Sequence, residues 1–159
     1  MRHDLGSYRN NETLIAAIDT QFRPRAAVRE LREPFCVPTK VLLVEDDRHN
    51  LQALTIYLKL RGVQVEQAHD GFEALQKLDH NTFHVVVSDL RMPGLSGLDL
   101  AKHIHQKLDG VPVVLMTGDP TAPALSGLNE SDVFHLLVKP FVPDELVKII
   151  RRARGDRKL

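Results

Sequence analysis

From residue 40 onward, short runs of apolar residues alternate with stretches in which apolar residues recur at helical spacing. In the first such stretch, Leu51, Leu54 and Leu58 share one face of a predicted helix. Four of the five apolar runs are unbroken, which is typical of parallel strands buried on both faces. The pattern predicts strands at 41–44, 63–68, 84–89, 111–117 and 134–139. It predicts helices at 48–61, 71–78, 97–108 and 143–154.

This succession of strands and helices predicts a doubly wound α/β domain with a five-stranded parallel sheet. Crossovers between parallel strands are almost always right-handed, so the helices are expected to cover both faces. A further helix belongs in segment 119–132, but Pro120 and Pro123 limit where it can begin. Gly127 weakens it by about 1 kcal/mol relative to alanine. We therefore expect a short or irregular helix in this segment.

Residues 1–38 differ from the rest in being rich in Arg, Asn and Glu. Two short helical patterns occur within them, and Pro34 and Pro38 mark a linker at their end. These features predict an N-terminal extension of unknown role at 1–38. A helical hairpin and a partly disordered tail are both open interpretations of it. Residues 156–159 form a short basic tail at the other end.

Composition and charge exclude several classes of function. The 21 Lys and Arg residues balance the 21 Asp and Glu residues, so overall charge does not favour nucleic acid or anionic membranes. The single cysteine, Cys36, excludes an internal disulfide framework and suits a reducing compartment. No apolar stretch approaches the roughly 18 residues of a membrane span, and no secretory signal pattern is present. We therefore expect a cytoplasmic protein that binds neither nucleic acid nor membranes directly.

Polar and charged side chains follow the predicted strands at the point where each strand ends. Ligands of open α/β sheets bind at these carboxyl ends, so the residues there are candidates for one shared site. They are Glu45, Asp46 and Asp47 after the first strand, Asp89 at the end of the third, Thr117 at the end of the fourth and Lys139 at the end of the fifth.

Carboxylates about 4 Å apart repel by roughly 4 kcal/mol at an effective dielectric near 20. Such a cluster holds a proton or binds a hard cation such as Mg²⁺. A cation and a lysine around an aspartate favour phosphoryl transfer onto the carboxylate.

Four short motifs occur in order at these strand ends. They are VEDD at 44–47, SDLRMPGLSGLDL at 88–100, TG at 117–118 and VKPF at 138–141. Together they closely resemble the response regulator receiver domain, the CheY-like module, over about residues 40–154. The resemblance implies a flavodoxin-like sheet with strand order 2-1-3-4-5 and places a receiver domain at 39–155.

The resemblance also implies a phosphoacceptor and a magnesium site. Asp89 resembles the phosphoacceptor of the family. Asp46, Asp89 and the backbone carbonyl of Arg91 resemble its Mg²⁺ ligand set. Glu45 is expected to complete the acidic pocket through a water molecule.

The remaining strand-end residues have implied roles of their own. Lys139 resembles the lysine that pairs with the aspartyl phosphate, and its bond to Pro140 resembles one that is cis in the family. Thr117 resembles the hydroxyl that moves to meet a phosphoryl oxygen. Asp47 lies one position past the acidic pair, so we expect it to begin the first helix.

Two features distinguish this sequence within the family pattern. Receivers usually carry an aromatic switch residue three positions before the lysine, whereas this chain has Leu136 there and Phe134 two residues earlier. Signalling by rotation of an aromatic ring is therefore not expected. Arg91, Met92 and Asp119 resemble the variable positions that tune the lifetime of the phosphoryl group. Arg91 and Asp119 carry opposite charges, and we expect them to pair across the mouth of the site.

The resemblance implies two-component phosphorelay signalling. A histidine kinase or histidine phosphotransfer protein would phosphorylate Asp89, docking largely on the first helix. Phosphorylation would then switch a surface for an unknown downstream protein. A receiver assists its own phosphorylation and dephosphorylation but is not a turnover enzyme. A stand-alone receiver, a homodimer through the N-terminal extension, and a fragment of a longer regulator or hybrid kinase are all open.

Two other classes of function are weighed against this one. A metal-dependent phosphatase would also use a strand-end aspartate, but it normally carries a second acid two residues later, where Arg91 stands. A phosphorylation-independent interaction module could keep the receiver fold without its phosphorylation chemistry. The retention of the acids, of Thr117 and of Lys139 argues against that.

Overall fold

The computed structural model describes residues 38–108, 110–129 and 131–155. They contain a sheet of five strands, β1 Lys40–Val44, β2 Gln64–Ala68, β3 Val85–Asp89, β4 Val113–Thr117 and β5 His135–Val138. Its pairings are all parallel, and the strand order is β2-β1-β3-β4-β5. This confirms the predicted sheet and its order. The predicted N-terminal extension, apart from its last residue, and the basic tail lie outside the described residues.

Four α-helices cover the sheet, α1 Arg48–Leu60, α2 Gly71–His80, α3 Gly97–Lys107 and α4 Pro143–Arg154. Asp47, Asp70 and Ser96 cap the first three, because their side chains accept hydrogen bonds from backbone N–H groups of the first turn. Pro143 occupies the first position of α4, where its missing N–H costs nothing. Asp47 accepts two such bonds, at 2.8 and 3.0 Å, and so begins α1 as predicted. None of the helices in the described part of the chain is long and apolar enough to cross a membrane.

The connection between β4 and β5 contains a 3₁₀ helix of five residues, Pro123–Gly127. Pro123 begins it, consistent with the limit that proline sets on where a helix starts. This confirms the expectation of a short or irregular helix. Phe134, just before β5, and Val138, its last residue, are 43% and 41% exposed.

The sheet separates two apolar layers. Successive strand residues point to opposite faces, so Val85 and Val87 pack with α1 and α4 while Val86 packs with α2 and α3. All three valines are fully buried. Burial on both faces explains why β3 is an unbroken apolar run in the sequence.

The register of the sheet aligns the carboxyl ends of its strands. Val44, the last residue of β1, pairs with the residue before Asp89, which brings Glu45 level with Asp89. Thr117, the last residue of β4, pairs with the residue before Lys139. The candidate residues therefore meet at one edge of the sheet.

Candidate functional site

Three carboxylates from two neighbouring strands form a cluster at this edge. Glu45 and Asp46 follow β1, and Asp89 ends β3. Each offers an oxygen within 4.8 Å of the oxygens offered by the other two. Glu45 is buried, Asp89 is partly buried and Asp46 is exposed. The cluster is thus open to solvent on the side of Asp46.

Lys139 supplies the opposing charge from the far side of β4. Its Nζ donates a hydrogen bond to Oε2 of Glu45 at 2.9 Å and lies 3.3 Å from Oδ1 of Asp89. Its backbone N–H donates to the carbonyl of Thr117 at 2.7 Å, which fixes the start of the loop after β5. The bond from Lys139 to Pro140 is cis, as the resemblance implies. The lysine therefore joins the first, third and fifth strands at one point.

Burial and charge act in opposite directions on the acids of the cluster. Burial raises the pKa of the Glu45 carboxyl, and the hydrogen bond from Lys139 only partly opposes the shift. Burial likewise raises the pKa of Asp89 against the attraction of Lys139. Burial alone would lower the pKa of Lys139, but the hydrogen bond to Glu45 and the charge of Asp89 outweigh it and raise the pKa. Burial therefore outweighs the attraction of the lysine for both acids.

The donor set of this cluster fits a divalent metal ion. Its ligand atoms are oxygens, and three carboxylates face one ammonium group. Mg²⁺ binds through a few carboxylates and keeps several waters, which the exposed side at Asp46 allows. Arg91 follows Asp89 by two residues, and the ligand role of its backbone carbonyl stays a prediction.

Thr117 lies at the same edge, buried at the end of β4. Its hydroxyl donates a hydrogen bond to the backbone carbonyl of Asp119 at 3.0 Å and accepts one from the Asp119 N–H at 3.1 Å. The guanidinium of Arg91 lies 3.2 Å from Oδ2 of Asp119, so the structure contains the predicted pair. The loops after β3 and β4 are joined by this pair.

A family model of the response regulator receiver domain matches residues 41–151, most of the chain. The chain belongs to this family. Among curated relatives, the C4-dicarboxylate transport transcriptional regulatory protein DctD of Pseudomonas aeruginosa is 36% identical over 126 residues, which are 79% of this chain and 27% of DctD. The response regulator MprA of a Mycobacterium species is 34% identical over 125 residues, which are 76% of this chain and 54% of MprA. The chain thus spans about a quarter to a half of the length of these relatives.

Solved receiver structures show the same fold. The chemotaxis response regulator CheY4 of Vibrio cholerae is 32% identical, with a TM-score of 0.66 over 74% of this chain and 99% of CheY4. The response regulator TrrA of Thermotoga maritima, solved in complex with Mg²⁺ and beryllium fluoride, is 29% identical, with a TM-score of 0.67 over 72% of this chain and 98% of TrrA. Receiver domains function in two-component systems, bind Mg²⁺ at an acidic pocket and are in general not turnover enzymes.

Two residues predicted to act in the receiver lie apart from the acidic cluster. Leu136 is partly buried in β5 and packs against the apolar layer that contains α2 and α3. Met92 is buried in the same layer, so its side chain points into the core. The switch role of Leu136 and the rate-tuning role of Met92 stay predictions.

Gly97 is a structural requirement of the site that the sequence reasoning missed. It is the first residue of α3 and lies directly against the end of β3. A Cβ at this position would be 2.0 Å from the carbonyl oxygen of Asp89 and 3.0 Å from Oγ of Ser88. The signal in the sequence was a glycine just after the helix-capping Ser96, where a residue with higher helix propensity would otherwise be favoured.

The acidic cluster predicts a pH dependence of stability in the absence of divalent cations. Because the pKa values of Glu45 and Asp89 are raised by folding, the folded state binds more protons than the unfolded state. The free energy of unfolding should therefore decrease as pH rises from the ordinary carboxyl range through the raised values. Asp89→Asn should weaken this decrease and stabilise the protein at neutral pH by about 1 kcal/mol.

Urea unfolding in a chelating buffer, at pH values between about 4.5 and 7.5, measures this effect. Acids outside the cluster contribute equally to the wild type and the variant, so the difference between them reports Asp89 together with its repulsion of Glu45. Asp79→Asn, which neutralises an exposed acid on α2, is the control and should keep the wild-type slope. Parallel curves for wild type and Asp89→Asn would contradict the prediction.

Proposed function

We propose that this receiver accepts a phosphoryl group on Asp89 from a histidine kinase or a histidine phosphotransfer protein. The observation that carries the proposal is the position of Asp89, which shares one pocket with two other carboxylates and lies 3.3 Å from Nζ of Lys139. A carboxylate oxygen is a nucleophile that forms an acyl phosphate. The P–N bond of the donor phosphohistidine breaks as the P–O bond to Asp89 forms.

The residues around Asp89 suit this transfer. Lys139 lies 3.3 Å from Oδ1 of Asp89 and supplies positive charge beside the place where the acyl phosphate would add negative charge. Before transfer, its hydrogen bond to the buried Glu45 keeps the ammonium group at the site. Asp46, Asp89 and the Arg91 carbonyl would hold Mg²⁺, with Glu45 joining through water. When bound, the ion would neutralise oxygens of the incoming phosphoryl group.

Binding of Mg²⁺ is expected to raise the thermal stability of the wild type, because the ion binds the folded state and relieves repulsion among the acids. At a concentration one hundred times the dissociation constant, the gain is about 2.7 kcal/mol. Asp46→Asn should remove most of it. Asp47→Asn is the matched control, since this neighbouring carboxylate caps α1, and it should keep the Mg²⁺ response. A thermal shift without phosphodonor measures both variants, and an equal loss in both would contradict the assignment.

Phosphorylation would then switch an interaction surface. We propose that Thr117 and Lys139 rearrange toward the phosphoryl group, which adds charge near −2, and that this biases two arrangements of the surface. We propose that this surface includes the short 3₁₀ helix Pro123–Gly127 and the exposed side chains of Phe134 and Val138. Leu136 would take part by repacking, since it has no ring to rotate.

Incubation with Mg²⁺ and acetyl phosphate tests the function. Incorporation of one phosphoryl group per chain, followed by slow loss, supports a receiver with intrinsic dephosphorylation. Continued release of phosphate at enzyme-like rates would indicate a phosphatase. Absence of any reaction, with a folded protein, would leave a phosphorylation-independent interaction module.

The lifetime of the phosphoryl group should depend on Arg91 and Asp119. Both side chains lie at the mouth of the site, and the pair is exposed, so it contributes only about 0–1 kcal/mol to stability. We expect Arg91→Ala and Asp119→Ala to change the dephosphorylation rate several-fold while changing the unfolding free energy by less than about 1 kcal/mol. Decay of the phosphorylated protein, followed by mass spectrometry, measures the rate. Unchanged lifetimes in both variants would reject the role.

We propose that the receiver domain occupies residues 39–155 and that its output lies elsewhere. The curated relatives are longer than this chain, and DctD is a transcriptional regulatory protein. A partner protein and further domains of a longer regulator are both compatible sources of output. A cytoplasmic location is proposed because Cys36 suits a reducing compartment.

A further inference from the structure

The hydroxyl of Thr117 is already engaged outside the acidic cluster. It donates to the carbonyl of Asp119 at 3.0 Å and accepts from the N–H of the same residue at 3.1 Å. A hydroxyl has a single proton to donate. Thr117 must therefore give up its bond to the Asp119 carbonyl before it can donate to a phosphoryl oxygen on Asp89.

The side chain of Asp119 anchors the loop that holds Thr117 in this arrangement. Its Oδ1 accepts hydrogen bonds from the N–H and the hydroxyl of Thr121, at 2.9 and 2.7 Å. Its Oδ2 accepts one from Arg91 at 3.2 Å. The hydroxyl of Thr121, together with its N–H and with Arg91, lowers the pKa of Asp119, so the carboxylate is charged at neutral pH. The loop after β4 is thus tied to the loop after β3 by one ion pair.

We propose that Arg91 and Asp119 form a latch that positions Thr117 away from Asp89 until Asp89 is phosphorylated. The latch consists of the Arg91–Asp119 ion pair and the hydrogen bonds of Asp119 to Thr121 and Thr117. It rests on the proposed function, because its release requires a phosphoryl group on Asp89. Asp119 is a positioning residue throughout, and Arg91 is one until its guanidinium turns to the phosphoryl group, because in the latch both act through Thr117.

Phosphorylation itself would open the latch. A phosphoryl group with charge near −2 would be attached two residues from Arg91, where it competes with the single charge of Asp119 for the guanidinium. Guanidinium groups pair well with phosphate oxygens. Once Arg91 leaves, the Asp119 carboxylate keeps only its contacts within its own loop. The loop after β4 is then no longer tied to the loop after β3, so the backbone of Asp119 can move and release the Thr117 hydroxyl toward the phosphoryl group.

The latch biases the switch and does not block it. The side chains of Arg91 and Asp119 are 67% and 42% exposed. A pair this exposed shifts an equilibrium by no more than about five-fold. The apparent affinity for a phosphoryl analogue depends on the fraction of molecules already in the competent arrangement. Loss of the latch should therefore raise this affinity by about two- to five-fold.

Asp119→Asn tests the latch most directly. The amide oxygen can still accept the bonds from Thr121, but the charge that attracts Arg91 is gone. Calorimetric titration with beryllium fluoride and Mg²⁺ should give a dissociation constant about two- to five-fold lower than that of the wild type. As the salt concentration rises, the ratio of the two dissociation constants should approach one, because salt screens the Arg91–Asp119 pair in the wild type. Asp79→Asn is the control, since it removes an exposed acid near the C-terminal end of α2. It should bind beryllium fluoride with the dissociation constant of the wild type.

The side-chain rotamer of Thr117 gives a readout that a purely structural role would not change. Three-bond couplings to its methyl group report this rotamer in the protein without Mg²⁺ or beryllium fluoride. Asp119→Asn and Arg91→Gln break the same pair from its two ends, so both should shift the Thr117 rotamer in the same direction. Circular dichroism checks that both variants fold.

The outcomes separate the latch from the function on which it rests. A wild type that does not bind beryllium fluoride overturns the proposed function and the latch with it. Normal binding by the wild type, with an equal dissociation constant and an unchanged Thr117 rotamer in Asp119→Asn, overturns the latch alone. Tighter binding together with a shifted rotamer supports it.

Discussion

Asp89→Asn is expected to abolish phosphorylation by acetyl phosphate in the presence of Mg²⁺. The amide cannot form the acyl phosphate. We do not expect either of the other two acids of the cluster to replace Asp89, because their positions differ from its position. Glu45 is buried and bonded to Lys139, and Asp46 is exposed on the outer side. Intact-protein mass spectrometry measures the effect as the loss of the added phosphoryl mass.

A neighbouring acid provides the matched control for this loss. Asp99 lies in the first turn of α3, and its carboxylate accepts a hydrogen bond from the hydroxyl of Ser96 at 2.6 Å. Asp99→Asn removes the same charge from the same region of the chain and should be phosphorylated as the wild type is. If Asp89→Asn were phosphorylated to the wild-type level, another residue would be the phosphoacceptor.

Gly97→Ala is expected to have the largest effect on stability. The added Cβ would lie 2.0 Å from the carbonyl oxygen of Asp89, so either the end of β3 or the start of α3 must move. The N–H of Gly97 also donates to the carbonyl of Leu90 at 3.0 Å, which leaves α3 little freedom to move away. We expect the free energy of unfolding in urea to fall by about 3 kcal/mol, the upper part of the usual range for overpacking.

The same substitution should also impair phosphorylation, because the residue displaced is Asp89. Gly127→Ala is the control, since a Cβ there would meet nothing closer than Nζ of Lys102 at 3.5 Å. Because alanine has the higher helix propensity, Gly127→Ala should leave stability unchanged or raise it by up to about 1 kcal/mol, and it should leave phosphorylation intact. If Gly97→Ala loses no more stability than Gly127→Ala, the close contact with Asp89 is not a constraint.

Much of the fold could be predicted because it depends on local patterns. The apolar run of β3 indicated a strand buried on both faces, and the structure places Val85 and Val87 in one layer and Val86 in the other. The prolines at 120 and 123 indicated that no regular helix would form there, and a 3₁₀ helix occupies Pro123–Gly127. Strand bounds differed by one to two residues, as for β4, which begins at Val113 where the apolar pattern begins at 111.

The composition of the site was also predictable, for a topological reason. Parallel strands all end at one edge of their sheet, so residues that follow different strands converge without any further information. This argument brought together Glu45, Asp46, Asp89, Thr117 and Lys139. The structure places oxygens of the three acids within 4.8 Å of one another, and Nζ of Lys139 lies 2.9 Å from Glu45 and 3.3 Å from Asp89. The strand order came from the resemblance to receivers, since spacing alone does not distinguish one order from another.

The sequence by itself determined the strands, the helices and which residues lie at the carboxyl edge of the sheet. These features follow from hydrophobic periodicity and from where each strand ends. Tertiary structure alone decided that Gly97 has no room for a side chain and that Lys139 bonds Glu45 more closely than Asp89. Those outcomes depend on distances of a few tenths of an ångström between loops and strands. Such distances are set by how the whole sheet and its helices pack, and no local pattern of residues encodes them.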